Sequence, residues 1–191
     1  DNVRAWKRVE NLKRFGGNPP TLESRAYFDG FRLPDLTYGS AINLYLGTRL
    51  VQVRMMLGHT GGDSVVSVPD AGVVFAGDMF WNKTMPNLID GTTDLWIGSL
   101  GRMAEQFPTS AFVPGHGPVG TRDDLVAFKG YLVDLRTRVA AAQAAGLEGA
   151  SLVEQVTTQL APGYMEWGNR ARIIPRNVAL TDAELRRVKV I

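Results

Sequence analysis

The 191-residue sequence predicts an α/β layered fold, a mixed sheet with helices packed outside it. Two observations carry that expectation. Four short runs of alternating or β-branched apolar residues follow one another between residues 41 and 77. The periodicity then changes, giving a helical stretch, one more apolar strand and a long helical stretch by residue 145.

Each element has its own signal. Val3, Trp6, Val9 and Leu12 are spaced for one face of a helix over 3–15, and "FGGNPP" ends it. Residues 17–40 read as an irregular, turn-rich lead-in. "AINLYLG" and "RLVQVRMML" alternate as strands about a turn at Gly47 and Thr48. "SVVSV" and "GVVFAG" are two more, joined by "PDAG". "TTDLWIGSLGRMAEQF" is a helix capped by Thr92 or Thr93. "SAFVPG" is a short buried strand, Asp123–Ala145 a long helix, and "SLVEQVTTQL" a further helix opened by Ser151. The expected organisation is a single domain over 1–191. Residues 1–40 form the lead-in, 41–145 the motif-bearing region and 146–191 a C-terminal extension.

Composition narrows the chemistry. A length of 191 residues, 45% hydrophobic and 21% charged, allows a substantial core. Zero cysteine excludes disulfides, thiolate zinc sites and cysteine nucleophiles, and it leaves the compartment unknown. No apolar run approaches the roughly 18 residues that a membrane span requires. The net charge of +2 hides basic ends around an acidic centre: residues 1–60 carry nine Lys/Arg against five Asp/Glu, and 170–191 carry six against two. Basic ends suit anion contact, yet no clustered basic run with interleaved aromatics is present, so nucleic acid is not an expected partner. An acidic centre suits a cation.

Both histidines of the chain stand between glycine-rich neighbours. His59 lies in "GHTGGD" after the second strand, and His116 in "PGHG" after the fifth. Asp78 follows "GVVFAG". Taken singly, such residues usually cap a turn or pack. Taken together they place two imidazoles and a carboxylate at strand ends, where a sheet gathers side chains from distant sequence. Adjacent glycines let the backbone bend tightly around a crowded centre. Imidazole and carboxylate are donors for zinc, iron or manganese, and a carboxylate can serve two ions.

"GHTGGD", "GVVFAGDMF" and "VPGHGPVG" together resemble the later ligand motifs of the metallo-β-lactamase fold superfamily, over roughly residues 36–145. The resemblance implies an αββα sandwich. It also implies that His59 binds a first metal, Asp78 bridges both and holds the metal-bound hydroxide, and His116 binds the second. The cofactor implied is zinc, two ions per complete site, with iron or manganese as alternatives. The reaction implied is hydrolysis of an ester, thioester, lactone or lactam in a small-molecule substrate. A carboxylate at position 78 resembles the glyoxalase II-like and general hydrolase branches, since cysteine-containing β-lactamases place a thiolate there.

The family's HxHxDH motif, which supplies two further ligands to each metal, has no counterpart here. The chain is therefore expected to be the C-terminal portion of the fold, with a site incomplete by itself and with metal absent unless those ligands are supplied. Its expected partner is the missing N-terminal half or a second copy. The alternative is a catalytically inactive half-fold that acts in association. Around the ligands, Thr60 and Asp63 read as supporting residues, with Asp63 either orienting a ligand or capping the loop. Trp81, Asn82 and Lys83 either line a substrate pocket or are a packed aromatic and two solvated polar residues. Tyr164 and Trp167 suit a lid, a dimer surface or ordinary packing.

Overall fold

The computed structural model describes residues 21–30 and 34–189, so the helix expected over 3–15 lies outside the described residues. The chain divides into two compact units, residues 1–39 and 40–191, with the boundary at the end of the expected lead-in.

In the first unit, helix α1 (Leu22–Asp29) occupies a stretch expected to be irregular. Thr21 explains the difference. Its hydroxyl accepts from the Ser24 amide at 3.1 Å and its carbonyl accepts from the Arg25 amide at 3.0 Å, so a residue that reads as part of a turn starts a helix.

The second unit holds one five-stranded sheet in the order β1–β2–β3–β4–β5. The strands are β1 (Ala41–Leu46), β2 (Arg49–Met55), β3 (Ser64–Val68), β4 (Val73–Trp81) and β5 (Ala111–His116). The first four pair antiparallel and β5 joins β4 in parallel, which requires the crossover helix α2 (Thr93–Gln106) between them. Helices α3 (Arg122–Ala144), α4 (Gly149–Leu160) and α5 (Arg170–Leu185) complete the layer. This is the mixed-sheet α/β architecture expected. Helix α5 was not anticipated, because Pro175 interrupts its pattern; its buried Ile173, Asn177 and Thr181 nevertheless keep a helical spacing of four.

The strands run so that two turns, Gly47–Thr48 and the 3-10 turn Pro69–Ala71, lie at one rim of the sheet. An Arg49–Asp70 ion pair of 2.9 Å, exposed to solvent, links them. The ends of β2, β4 and β5 reach the opposite rim.

The two sheet faces differ. Val65, Val74, Ala76 and Phe112 are buried with the helices, where Phe80 packs edge-on against Phe112 and tilted against Phe128. On the other face, Ile42, Val53, Val66, Phe75 and Val113 align across all five strands, and none of them is buried. Phe75 is 47% exposed and Met55, on the same face, 45%. A few hundred Å² of such surface amounts to several kcal/mol at about 25 cal/mol per Å². The purified chain is therefore expected to self-associate at low micromolar concentration, with a second copy covering this face. Sedimentation checks it, with Phe75→Lys expected to shift the population toward monomer. A monomeric parent with a cooperative melt would show that the face tolerates water.

A part-buried ionic network links the helices. Arg136 on α3 donates to Glu184 near the end of α5 at 2.8 Å and to the Thr93 hydroxyl at 2.7 Å, and Thr93 donates to the same Glu184 oxygen. The Lys189 ammonium, almost fully enclosed, donates to the Leu88 and Gly91 carbonyls. Burial pulls its pKa below the usual lysine value, against the opposing pull of Glu184 and Asp90.

Candidate functional site

Three features bring the candidate ligands to one rim. The first is the loop after β2. Thr60 donates to Asp63 twice at 2.7 Å, from its amide and from its hydroxyl, and its hydroxyl accepts from the Gly62 amide. Asp63 therefore caps the loop that carries His59. Gly58 lies so close to Trp96 that a Cβ there would stand 2.6 Å from the indole Cγ. The same Trp96 meets the His59 ring edge-on at 5.3 Å and donates from Nε1 to the Met79 carbonyl at 2.9 Å. A glycine at 58 is what allows His59 to pack down on the indole.

The second feature is a distortion in β4. Its register against β5 runs Phe75–Val113, Gly77–Pro114 and Trp81–His116, so β4 spends more residues than β5 over the same length. Bulges of this kind re-aim side chains. Gly77, with φ +52°, absorbs the turn, and Asp78 follows it. The sequence places Asp78 and His116 in loops beyond their strands; in the structure β4 extends through Asp78 to Trp81, and His116 is the last residue of β5. Only His59 lies in a loop. The strands extend because the parallel β4–β5 pairing continues past the glycines that read as strand ends.

The third feature is the tight loop after β5. The Asn82 amide donates to the His116 carbonyl at 2.9 Å, and its side chain donates to the Pro118 carbonyl at 3.0 Å. A Cβ at Gly117 would collide with the Asn82 carbonyl, and one at Gly115 with the Asp78 carboxylate. Beyond the loop, Thr121 and Asp124 form a reciprocal cap on α3. The Thr121 amide bond holds the Asp124 carboxyl below the usual aspartate range.

The result is one carboxylate between two imidazoles. Asp78 Oδ2 lies 3.4 Å from His59 Nε2, and Asp78 Oδ1 lies 3.5 Å from His116 Nε2. These separations exceed the roughly 2.7–3.2 Å of an N–H···O hydrogen bond. They match the edge, about 3.3–3.4 Å, of a tetrahedron whose metal–ligand bonds are near 2.0–2.1 Å. His59 is largely buried, and its Nδ1 has no hydrogen-bond partner among the described residues. Asp78 and His116 are nearly half exposed, so the centre opens to solvent. Each imidazole faces a different carboxylate oxygen, and among the described residues no group of three or more His, Asp or Glu side chains is disposed to hold a single ion.

The surrounding residues divide clearly. Trp81 is buried and stacks on His116. Asn82 is 4% exposed, with its amide directed to Pro118 in the loop that follows His116. Lys83 is exposed with φ +53°. Tyr164 and Trp167 pack with Tyr131 and Phe128. Burial raises the Tyr164 hydroxyl to about 12, with the Asp134 carboxylate beside it adding to the shift. Trp96 gave no sign in the sequence, where it reads as one apolar position of α2. Its importance comes from Gly58 and Gly91, which both approach its ring.

A family model described as the metallo-beta-lactamase superfamily matches residues 6–116, more than half of the chain, and ends on His116. The chain belongs to the metallo-beta-lactamase superfamily. The match starts upstream of the region over which the motifs carry the resemblance. Over 90 residues the chain is 33% identical to a hydroxyacylglutathione hydrolase of Rhodobacter capsulatus, covering 46% of this chain and 35% of that protein. A metallo-beta-lactamase from Pontibacter korlensis shares the superfamily fold at a TM-score of 0.50 and 23% identity, over 65% of this chain and 62% of that one. The chain thus spans about a third of the curated relative's length. Among the described residues no helix is long and apolar enough to cross a membrane.

Proposed function

We propose that this chain is a zinc-dependent hydrolase of a small-molecule thioester. The observation that carries the reading is the Asp78 carboxylate held between His59 and His116 at tetrahedral-edge spacing. Asp78 would serve both ions, with His59 Nε2 as donor to one and His116 Nε2 as donor to the other. Zinc bound there supplies a Lewis acid that polarises a carbonyl and lowers the pKa of water. The protein keeps the donors in place through the Asp63 cap behind His59 and the Asn82 contacts behind His116. Trp96 and Trp81 close the inner side of the site against water.

Three donors give each ion one nitrogen and one oxygen, fewer than the three protein ligands of a catalytic zinc site. The three donors by themselves are expected to take up zinc weakly, and further donors from another polypeptide segment to complete the site. The hydrolase named among the relatives supports the thioester and favours catalysis over a non-catalytic half-fold.

The test is zinc content together with hydrolysis of a hydroxyacylglutathione. Hydrolysis is expected to require zinc and to be lost on chelation. Full activity in the chelated protein would overturn the metal role, and zinc-loaded protein inert toward thioesters would overturn the substrate class.

A further inference from the structure

We infer that Trp81 is the positioning residue of this centre, a single side chain that orients all three candidate ligands. The inference rests on the ligand reading above. Trp81 is the cross-strand partner of His116 where β4 and β5 pair in parallel. The two rings stack with centroids 3.7 Å apart and planes 23° from parallel. The same indole meets the His59 ring at 5.9 Å, tilted by 46°. Its Nε1 donates to the Asp78 carbonyl at 3.0 Å.

Each contact acts on a different freedom. His116 is nearly half exposed, and an imidazole in that setting would otherwise rotate among several orientations. A flat ring against its face leaves Nε2 directed at Asp78 Oδ1. The lone pair of that nitrogen lies in the ring plane, so stacking does not compete with ligation. The indole N–H ties down the Asp78 backbone inside the bulge, where the regular sheet ladder is interrupted. Orientation fixed before binding removes an entropy cost that the ion would otherwise meet. Simple filling of space would ask only for volume; this arrangement asks for a flat face.

Proton NMR of the histidine rings, followed through a titration with zinc alone, tests the inference in the parent chain, Trp81→Phe and Trp81→Leu. With only two histidines in the sequence, the ring signals are readily assigned. His116 is expected to resonate upfield in the parent and in Trp81→Phe, and at the ordinary position in Trp81→Leu. Zinc affinity is expected to hold within about threefold in Trp81→Phe and to fall about tenfold in Trp81→Leu, the lower end of the roughly 10–100-fold effect of contacts behind a ligand. Parent-like zinc affinity in a folded Trp81→Leu would overturn the role of Trp81 and leave the ligand reading standing. An unshifted His116 in the parent would overturn it even if the leucine variant failed to fold. No zinc uptake by the parent would remove the ligand reading, and the role of Trp81 with it.

Discussion

Asp78→Ala is expected to lose zinc from both positions and to bring thioester hydrolysis to background. The two carboxylate oxygens face different imidazoles, so removing them deprives each ion of a donor and erases the element that sets their spacing. The loss of zinc affinity should exceed about 100-fold, beyond the roughly 10–100-fold typical of contacts behind a ligand. His116→Ala, by contrast, should empty mainly the position on the Oδ1 side. Metal analysis after equilibration in limiting zinc separates the two cases. Equal loss in Asp78→Ala, His59→Ala and His116→Ala would count against a bridging carboxylate. Asp78 is nearly half exposed and sits at the rim, so the alanine variant should fold.

Gly115→Ala is the second large effect, and it touches no donor atom. Its methyl group would collide with Asp78 Oδ1 and stand 2.9 Å from the Asp78 amide nitrogen. The carboxylate must move or the two strands must separate at their ends. Overpacking of this kind costs about 1–3 kcal/mol. The expected result is a modest fall in melting temperature with near-complete loss of zinc uptake. Gly61→Ala is the control: it lies in the loop after β2, and a Cβ there meets nothing within 4 Å. A Gly115→Ala variant that takes up zinc like the parent would mean that the carboxylate is not held where the structure has it.

Much of this centre was legible in the sequence because it is built from scarce residues at strand ends. Two histidines in 191 residues, each beside glycine, and an aspartate after a β-branched run left few other candidates. The glycines themselves were legible as bends but not as clearances. That Gly115 makes room for Asp78, and Gly58 for Trp96, depends on chain crossings that no local pattern encodes. Asp63 shows the same limit, since only the two Thr60 bonds decide that it caps its loop. Trp81 was noticed for following Asp78, but its stack on His116 is a cross-strand fact, fixed by the parallel register. Helix α1 went unread because its Thr21 start follows two prolines, and α5 because Pro175 interrupts its pattern.

The direction of the strands gives the sheet two rims of different character. One gathers His59, Asp78 and His116; the other holds the short turns at Gly47–Thr48 and Pro69–Ala71, joined by an exposed ion pair that contributes little to stability, together with the connection from α2 into β5. Gly47 and Gly72 both adopt left-handed backbone, and a Cβ at either would meet open space. An engineer can therefore treat that rim as a handle. A surface tether, a fluorescent label or a grafted peptide placed at either turn leaves the opposite rim facing freely outward, the full length of a strand away.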